Sequence, residues 1–236
     1  MIINCAVYER GRKRADIHTD DIRHWLQQPD CFVWVALHDP GAAELAQMQD
    51  EFGLHELAVE DAHKGHQRPK MEEYGNTLFV VMHLLDSGVQ LDSDEPVGEL
   101  AVFAGANFVL SVRTRSSHGF QDVRQRCERE PELLQSGAGF VLYALMDAVV
   151  DRYFPLLDGF ETELEDVEEH IFTPGAARGN IERLYALKRR TGMLRHAAAP
   201  LLVLHFADGR RGEMAGAPTP ATGPGKRLHN SLLVLQ

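Results

Sequence analysis

Little in this sequence could serve as a covalent or metal-bound framework. Cys5, Cys31 and Cys127 are few, odd in number and far apart, which excludes a disulfide scaffold and a Cys-x-x-Cys zinc site and points to a reducing, cytosolic compartment. Long apolar runs are missing too: no segment reaches the about 20 apolar residues that span a bilayer. The short apolar run from Met1 to Tyr8 is followed, not preceded, by Arg10, Arg12, Lys13 and Arg14, the wrong order for a secretory signal. As written, the chain is not expected to be an integral membrane protein. Positive charge is also scarce. With 24 Lys and Arg against 35 Asp and Glu, the net charge of -11 works against a broad phosphate-binding face, so no nucleic-acid partner is expected.

The glycine signatures of common enzyme sites are absent as well. There is no Gly-x-Gly-x-x-Gly and no Gly-x-Ser-x-Gly, and Gly225-Lys226 lacks the remaining elements of a phosphate loop. Asp92 and Asp94 could be paired carboxylates, but Pro96 and their polar surroundings read as a loop between strands. No enzymatic function is expected. The histidines, 12 in all, include His63 and His66 one helical turn apart, but two ligands do not make a zinc site and the pair reads as surface histidine.

What is present is a hydrophobic content of 44% and a charged content of 25%, ordinary for a soluble globular protein, in a chain of 236 residues. One core plus an appendage fits that length. Ile2 to Tyr8 and Cys31 to Leu37 have strand composition, with a short helix around Asp21 to Gln27 between them, giving a strand, helix, strand start. Asp39-Pro40-Gly41 opens a helix to Phe52, Gly53 stops it, and Leu54 to His63 forms another. Leu78 to Leu85, Glu99 to Phe103 and Phe108 to Arg113 read as strands, the last two joined as a hairpin at Gly105-Ala106-Asn107, and a helix follows from Phe120 to Leu134. The fold class expected is α/β: a mixed β-sheet sandwiched between helices (α/β/α), followed by two long antiparallel helices.

The appendage is the stretch around which the chain is organised. Apolar residues from Leu142 to Ile171 recur in steps of three and four, the mark of one long helix, roughly 45 Å at about 1.5 Å per residue. Its second half crowds Glu161, Glu163, Glu165, Asp166, Glu168 and Glu169 together, a density that a basic partner or cations must offset. After Thr173-Pro174-Gly175 a second helix carries Arg178, Arg183, Lys188, Arg189, Arg190 and Arg195, so two antiparallel helices of opposite charge are expected. Domain bounds follow: 1-138 for the sandwich, 139-202 for the helical pair and 203-236 for a Gly, Pro and Ala-rich tail without apolar period.

Glu60-Asp61, then Gln67-Arg68-Pro69-Lys70 and Glu72, read by themselves as a solvated helix end and turn entering a strand. Within Leu54 to Glu72, however, the run Leu54-His55-Glu56-Leu57-Ala58-Val59-Glu60-Asp61 followed by Gln67-Arg68-Pro69-Lys70-Met71-Glu72 resembles the cytosolic-domain signature of CorA-type magnesium transporters. Leu142 to Phe154 is similar to the start of that family's first long acidic helix, and Leu187-Lys188-Arg189-Arg190 with Leu194-Arg195 and Pro200 to its returning helix. Glu56 stands where the family usually has proline, and Pro155 implies a kink near Asp151, because proline removes a backbone donor and clashes with the preceding turn.

The resemblance implies a cytosolic regulatory domain of a divalent-cation transporter at the cytoplasmic side of the inner membrane. Such domains assemble as a homopentamer and gate the pore when Mg2+ bridges carboxylates between subunits. Co2+ or Zn2+ are possible alternatives as the cation. It also implies a stalk helix, two membrane helices and a Gly-Met-Asn loop, none of which is in this sequence, so the membrane would be reached only through helices missing here. The ending after about Leu202 is expected to be a truncation or out-of-register reading, the other reading being a natural paralogue. Register against the family's sensing carboxylate places Gly88 at that position and makes Asp86 the candidate metal ligand. The alternative function is a stand-alone soluble module that senses metal or binds a protein partner.

Overall fold

The computed structural model describes residues 1–85, 97–171 and 177–208, and the side chains of residue 200 and of 202–208 are outside that description. Seven strands form one sheet in the order β2-β1-β3-β7-β6-β5-β4. They are β1 (Ile2–Glu9), β2 (Arg12–Asp16), β3 (Cys31–His38), β4 (Lys70–Tyr74), β5 (Thr77–Leu84), β6 (Gly98–Ala104) and β7 (Phe108–Thr114). Only β3 and β7 pair in parallel; every other neighbouring pair is antiparallel. Because side chains alternate across a strand, the inner strands supply two separate cores. Phe32, Trp34, Val80, Met82, Leu100, Val102 and Val109 face one way, and Val33, Val35, Phe79, Val81, Phe103 and Leu110 the other.

Helices cover both faces. On the second face lie α1 (Ile22–Leu26), α2 (Ala42–Phe52) and α3 (Glu56–Lys64), through Ile22, Leu45, Met48, Phe52, Val59 and Ala62. On the first lie α4 (Gln121–Arg129), α5 (Pro131–Leu134), α6 (Ala138–Asp151) and α7 (Phe154–Glu169), together with α8 (Ala177–Asp208). The α/β/α sandwich followed by a helical pair is thus the observed architecture, and α7 and α8 run antiparallel, since His170 lies beside Asn180 and Glu163 beside Arg190.

Several expectations are corrected. The strand, helix, strand start omitted β2, whose Arg12, Lys13, Arg14 and Asp16 carry no apolar alternation. The turn at Arg10 and Gly11, both with positive φ, folds β2 back on β1, and a Cβ on Gly11 would lie 2.0 Å from the Pro131 carbonyl oxygen. The crossover to β3 therefore starts from β2, and β1 is antiparallel to both. The helix from Phe120 to Leu134 is broken at Glu130 (φ -119, ψ 65), because the residue before Pro131 is driven out of the helical region.

The single helix over Leu142 to Ile171 is likewise two helices, parted at Arg152 and Tyr153 with Pro155 in the first turn of α7, the place where Pro155 implied a kink. α6, which the sequence bounds assign to the helical pair, packs on the sheet through Val141, Ala144, Leu145, Val149 and Val150. Its direction is set by the sheet, while that of α7 is set by α8.

Tyr153 holds the joint between them. Its ring is fully buried and its hydroxyl donates to the His83 carbonyl oxygen on β5 at 2.8 Å. Tyr153→Phe is expected to cost about 1 kcal/mol and Tyr153→Ala about 3–5 kcal/mol in urea unfolding. A Tyr153→Phe protein as stable as the parent would show that the hydrogen bond contributes nothing to the joint.

Candidate ion-handling site

Three groups of charge carry the functional motifs. The first is the signature turn, where α3 ends and β4 begins. Lys70 Nζ lies 2.7 Å from Asp61 Oδ2 and 2.7 Å from Glu72 Oε2, and the Tyr74 hydroxyl donates to Glu72 at 2.9 Å. The ammonium also sits 5.7 Å from the centre of the Phe79 ring. Burial alone would lower the Lys70 pKa, but the hydrogen bonds to Asp61 and Glu72 outweigh it and raise it, while the bond from Lys70 holds Glu72 below the usual carboxylate range. The reading of a solvated turn is corrected: Asp61, Lys70 and Glu72 are each half-buried and joined. Both carboxylates share one ammonium, so the signature is a clasp between helix and sheet edge.

The second group fixes the turn itself. Glu99 on β6 is 5% exposed, and Arg115 Nη2 reaches its Oε1 at 2.8 Å while Arg115 Nε donates to the Val97 carbonyl oxygen. The His66 backbone N–H also bonds Glu99, and His83 Nε2 is 2.9 Å from the Gln67 carbonyl oxygen. Burial raises the Glu99 pKa, although Arg115, His83 and His66 oppose the rise. Gly65 (φ +63) packs directly on the Arg115 guanidinium, where a Cβ would stand 2.6 Å away. His66 is thus held in the turn by its backbone, and both it and His63 on α3 are exposed. Among the described residues no group of three or more His, Cys, Asp or Glu is placed to hold a metal ion.

The third group is the acidic helix. Asp166 meets Arg183 at 2.7 Å and Glu163 pairs with Arg190, so α8 neutralises one flank of α7 as its basic residues require. Glu161, Glu165, Glu168 and Glu169 remain exposed on the other side. The metal candidate Asp86, and with it Asp92 and Asp94, lies outside the described residues. The cysteines offer no ligand or nucleophile: burial pushes Cys127 up to about 12 and Cys5 up to about 11, where the thiolate is negligible at neutral pH. Sequence reasoning missed Glu99, Arg115 and His83. A lone Glu opening an apolar strand was the available signal, since a buried carboxylate requires a partner.

Lys70→Met should destabilise the fold by about 1–2 kcal/mol at neutral pH, the worth of charged hydrogen bonds after solvent screening. Because Glu72 is lowered and Lys70 raised, the gap between parent and variant is fully present between the carboxylate and lysine ranges. It shrinks as pH falls through the Glu72 value or rises through that of Lys70. An equal gap in urea titrations at pH 3 and pH 7 would refute the clasp.

Comparison with known proteins now places the chain. The family model described as "CorA-like Mg2+ transporter protein" matches residues 30–204. The cobalt/magnesium transport protein CorA of Thermotoga maritima is 29% identical over 171 residues, 72% of this chain and 48% of its own length. The divalent cation transporter CmaX of Pseudomonas aeruginosa is 31% identical over 180 residues, 73% of this chain and 51% of its own. The structure of full-length CmaX superposes with a TM-score of 0.72 at 22% identity, covering 99% of this chain and 73% of that one. The soluble domain of CorA from Methanocaldococcus jannaschii gives 0.66 at 16%, covering all of this chain and 90% of that one. The chain spans about half the length of the curated relatives it matches, and no helix among the described residues is long and apolar enough to cross a membrane. A family match over residues 30–204, carried on the shared sandwich and helical pair, means that this chain belongs to the CorA-like Mg2+ transporter family.

Proposed function

We propose that this chain is the cytosolic regulatory part of a CorA-like divalent-cation transporter, at the cytoplasmic side of the inner membrane, and does not transport by itself. The observation that carries the reading is the family match over residues 30–204. In this reading the body self-associates, as a homopentamer, and Mg2+ bound between copies holds the closed arrangement; Co2+ or Zn2+ remain alternative cations. Asp86, which follows the described end of β5, is the proposed ligand. The physics supports a weak, reversible clamp. Magnesium keeps most of its waters and takes one or two carboxylates, so facing acids on neighbouring copies suffice to bridge it. One site at its dissociation constant shifts the equilibrium by only about 0.4 kcal/mol, so several copies acting together are required.

In this reading the signature carboxylates serve the fold rather than the ion. Asp61 and Glu72 are held by Lys70, so they fix the edge of the sheet and leave the ion to acids elsewhere.

Sedimentation of the full chain at high ionic strength tests the reading. Association should rise in millimolar magnesium, reverse with chelator, and lose its magnesium dependence in Asp86→Asn. Magnesium binding without any change in mass would instead favour a stand-alone metal-sensing module, and neither binding nor association would refute both.

A further inference from the structure

One residue of the inner strand β5 is tied to both helical layers. His83 falls on the same side of the sheet as Phe79 and Val81, because side chains alternate along a strand, and that side is covered by α1, α2 and α3. There its Nε2 lies 2.9 Å from the Gln67 carbonyl oxygen, in the turn between α3 and β4. Its own carbonyl oxygen accepts the Tyr153 hydroxyl at 2.8 Å, and Tyr153 belongs to the core on the opposite face, at the joint between α6 and α7. A single residue thus spans the sheet.

The turn that His83 reaches is held away from a relaxed conformation. Gly65 and His66 have φ of +63 and +59, and Arg115 beside them has +54. Histidine and arginine carry a Cβ, so this left-handed region costs them energy and persists only where neighbours over-determine it. Those neighbours are Glu99, which takes the His66 N–H and the Arg115 guanidinium, and Arg115, which packs on Gly65. Glu99 is in turn the cross-strand partner of His83. Relaxation of the strained residues displaces the Gln67 carbonyl and the His83 ring bonded to it. On the other face Tyr153 has no exposed surface, so its hydroxyl must follow the His83 carbonyl or lose its bond with no water to replace it.

We propose that the α3–β4 turn and the α6–α7 joint open as one coupled unit, linked through His83. The coupling is reciprocal, as any coupling free energy between two sites must be: what loosens the turn loosens the joint, and the converse. It requires no cation and stands apart from the clamp proposed above.

Hydrogen exchange of single amides, followed by NMR on the full chain with chelator present, tests it. The Gly65 N–H, bonded to the Asp61 carbonyl, and the His66 N–H, bonded to Glu99, report the turn. The Tyr153 N–H, bonded to the Val150 carbonyl, and the Leu157 N–H, bonded to that of Tyr153, report the joint. Gly65→Ala sets a Cβ 2.6 Å from the Arg115 guanidinium and contacts no residue of the joint. It should nonetheless speed exchange at Tyr153 and Leu157 roughly fivefold or more relative to the amides of the β6–β7 ladder. Tyr153→Phe should likewise speed the amides of the turn. In a His83→Leu background, which lacks the ring bond, each effect should stay where its substitution lies. Cross-effects missing from the parent background, or persisting unchanged with His83→Leu, would overturn the proposal. So would acceleration shared equally by the β6–β7 ladder, the mark of global unfolding.

Discussion

Two-sided burial of the inner strands is the constraint that arranges everything else. β3, β5, β6 and β7 present apolar side chains above and below, so each is a nearly continuous apolar run with little room for a charged group. Glu99 is the exception at the end of β6, and it is enclosed by Arg115, His83 and the His66 backbone. Charge elsewhere is pushed to the rims. The edge strands β2 and β4 are mostly charged, which also guards their unpaired backbone against pairing with another chain. Chemistry that needs carboxylates in water must use the loops, the ends of the sheet or the hairpin.

The family signature takes its meaning from the same constraint. Glu60, Asp61, Lys70 and Glu72 are charged residues at the place where a helix on one face must be tied to a strand on the edge. Lys70 ties them by bridging two carboxylates, and Gly65 lets the chain turn against Arg115. What the motif marks in this chain is therefore architecture: a tie between a helix on one face and a strand on the edge.

Legibility of the sequence followed the strength of the apolar period. The inner strands, α2 with its Gly53 stop, and the turn at Gly105 to Asn107 were readable because alternation and turn residues agree there. β2 was not, because a strand whose residues nearly all face water has no alternation to detect. The break at Glu130 was hidden by helix-forming neighbours on either side of Pro131. The apolar period ran unbroken through Tyr153, since that ring is as buried as those in α6 and α7, and only Pro155 signalled the joint. At the site, the ion pairs between α7 and α8 were legible as opposite charge on successive helices. The pairing of Glu99 with Arg115 was not: the expected hairpin brings the ends of β6 and β7 together, but Arg115 lies past the end of β7 at Thr114, where no strand alternation fixes its direction.

The joint at Arg152 and Tyr153 gives the molecule a mechanical property. Beyond it α7 extends sixteen residues, while at it the chain is tied to the body by Tyr153 to His83 and by Arg152 to the Gly119 carbonyl oxygen. A helix of that length is a lever of about 24 Å, so a swing of roughly 10° at its base would carry the far end about 4 Å. Small repacking around one tyrosine would thereby be amplified into a change of spacing at the distant tip.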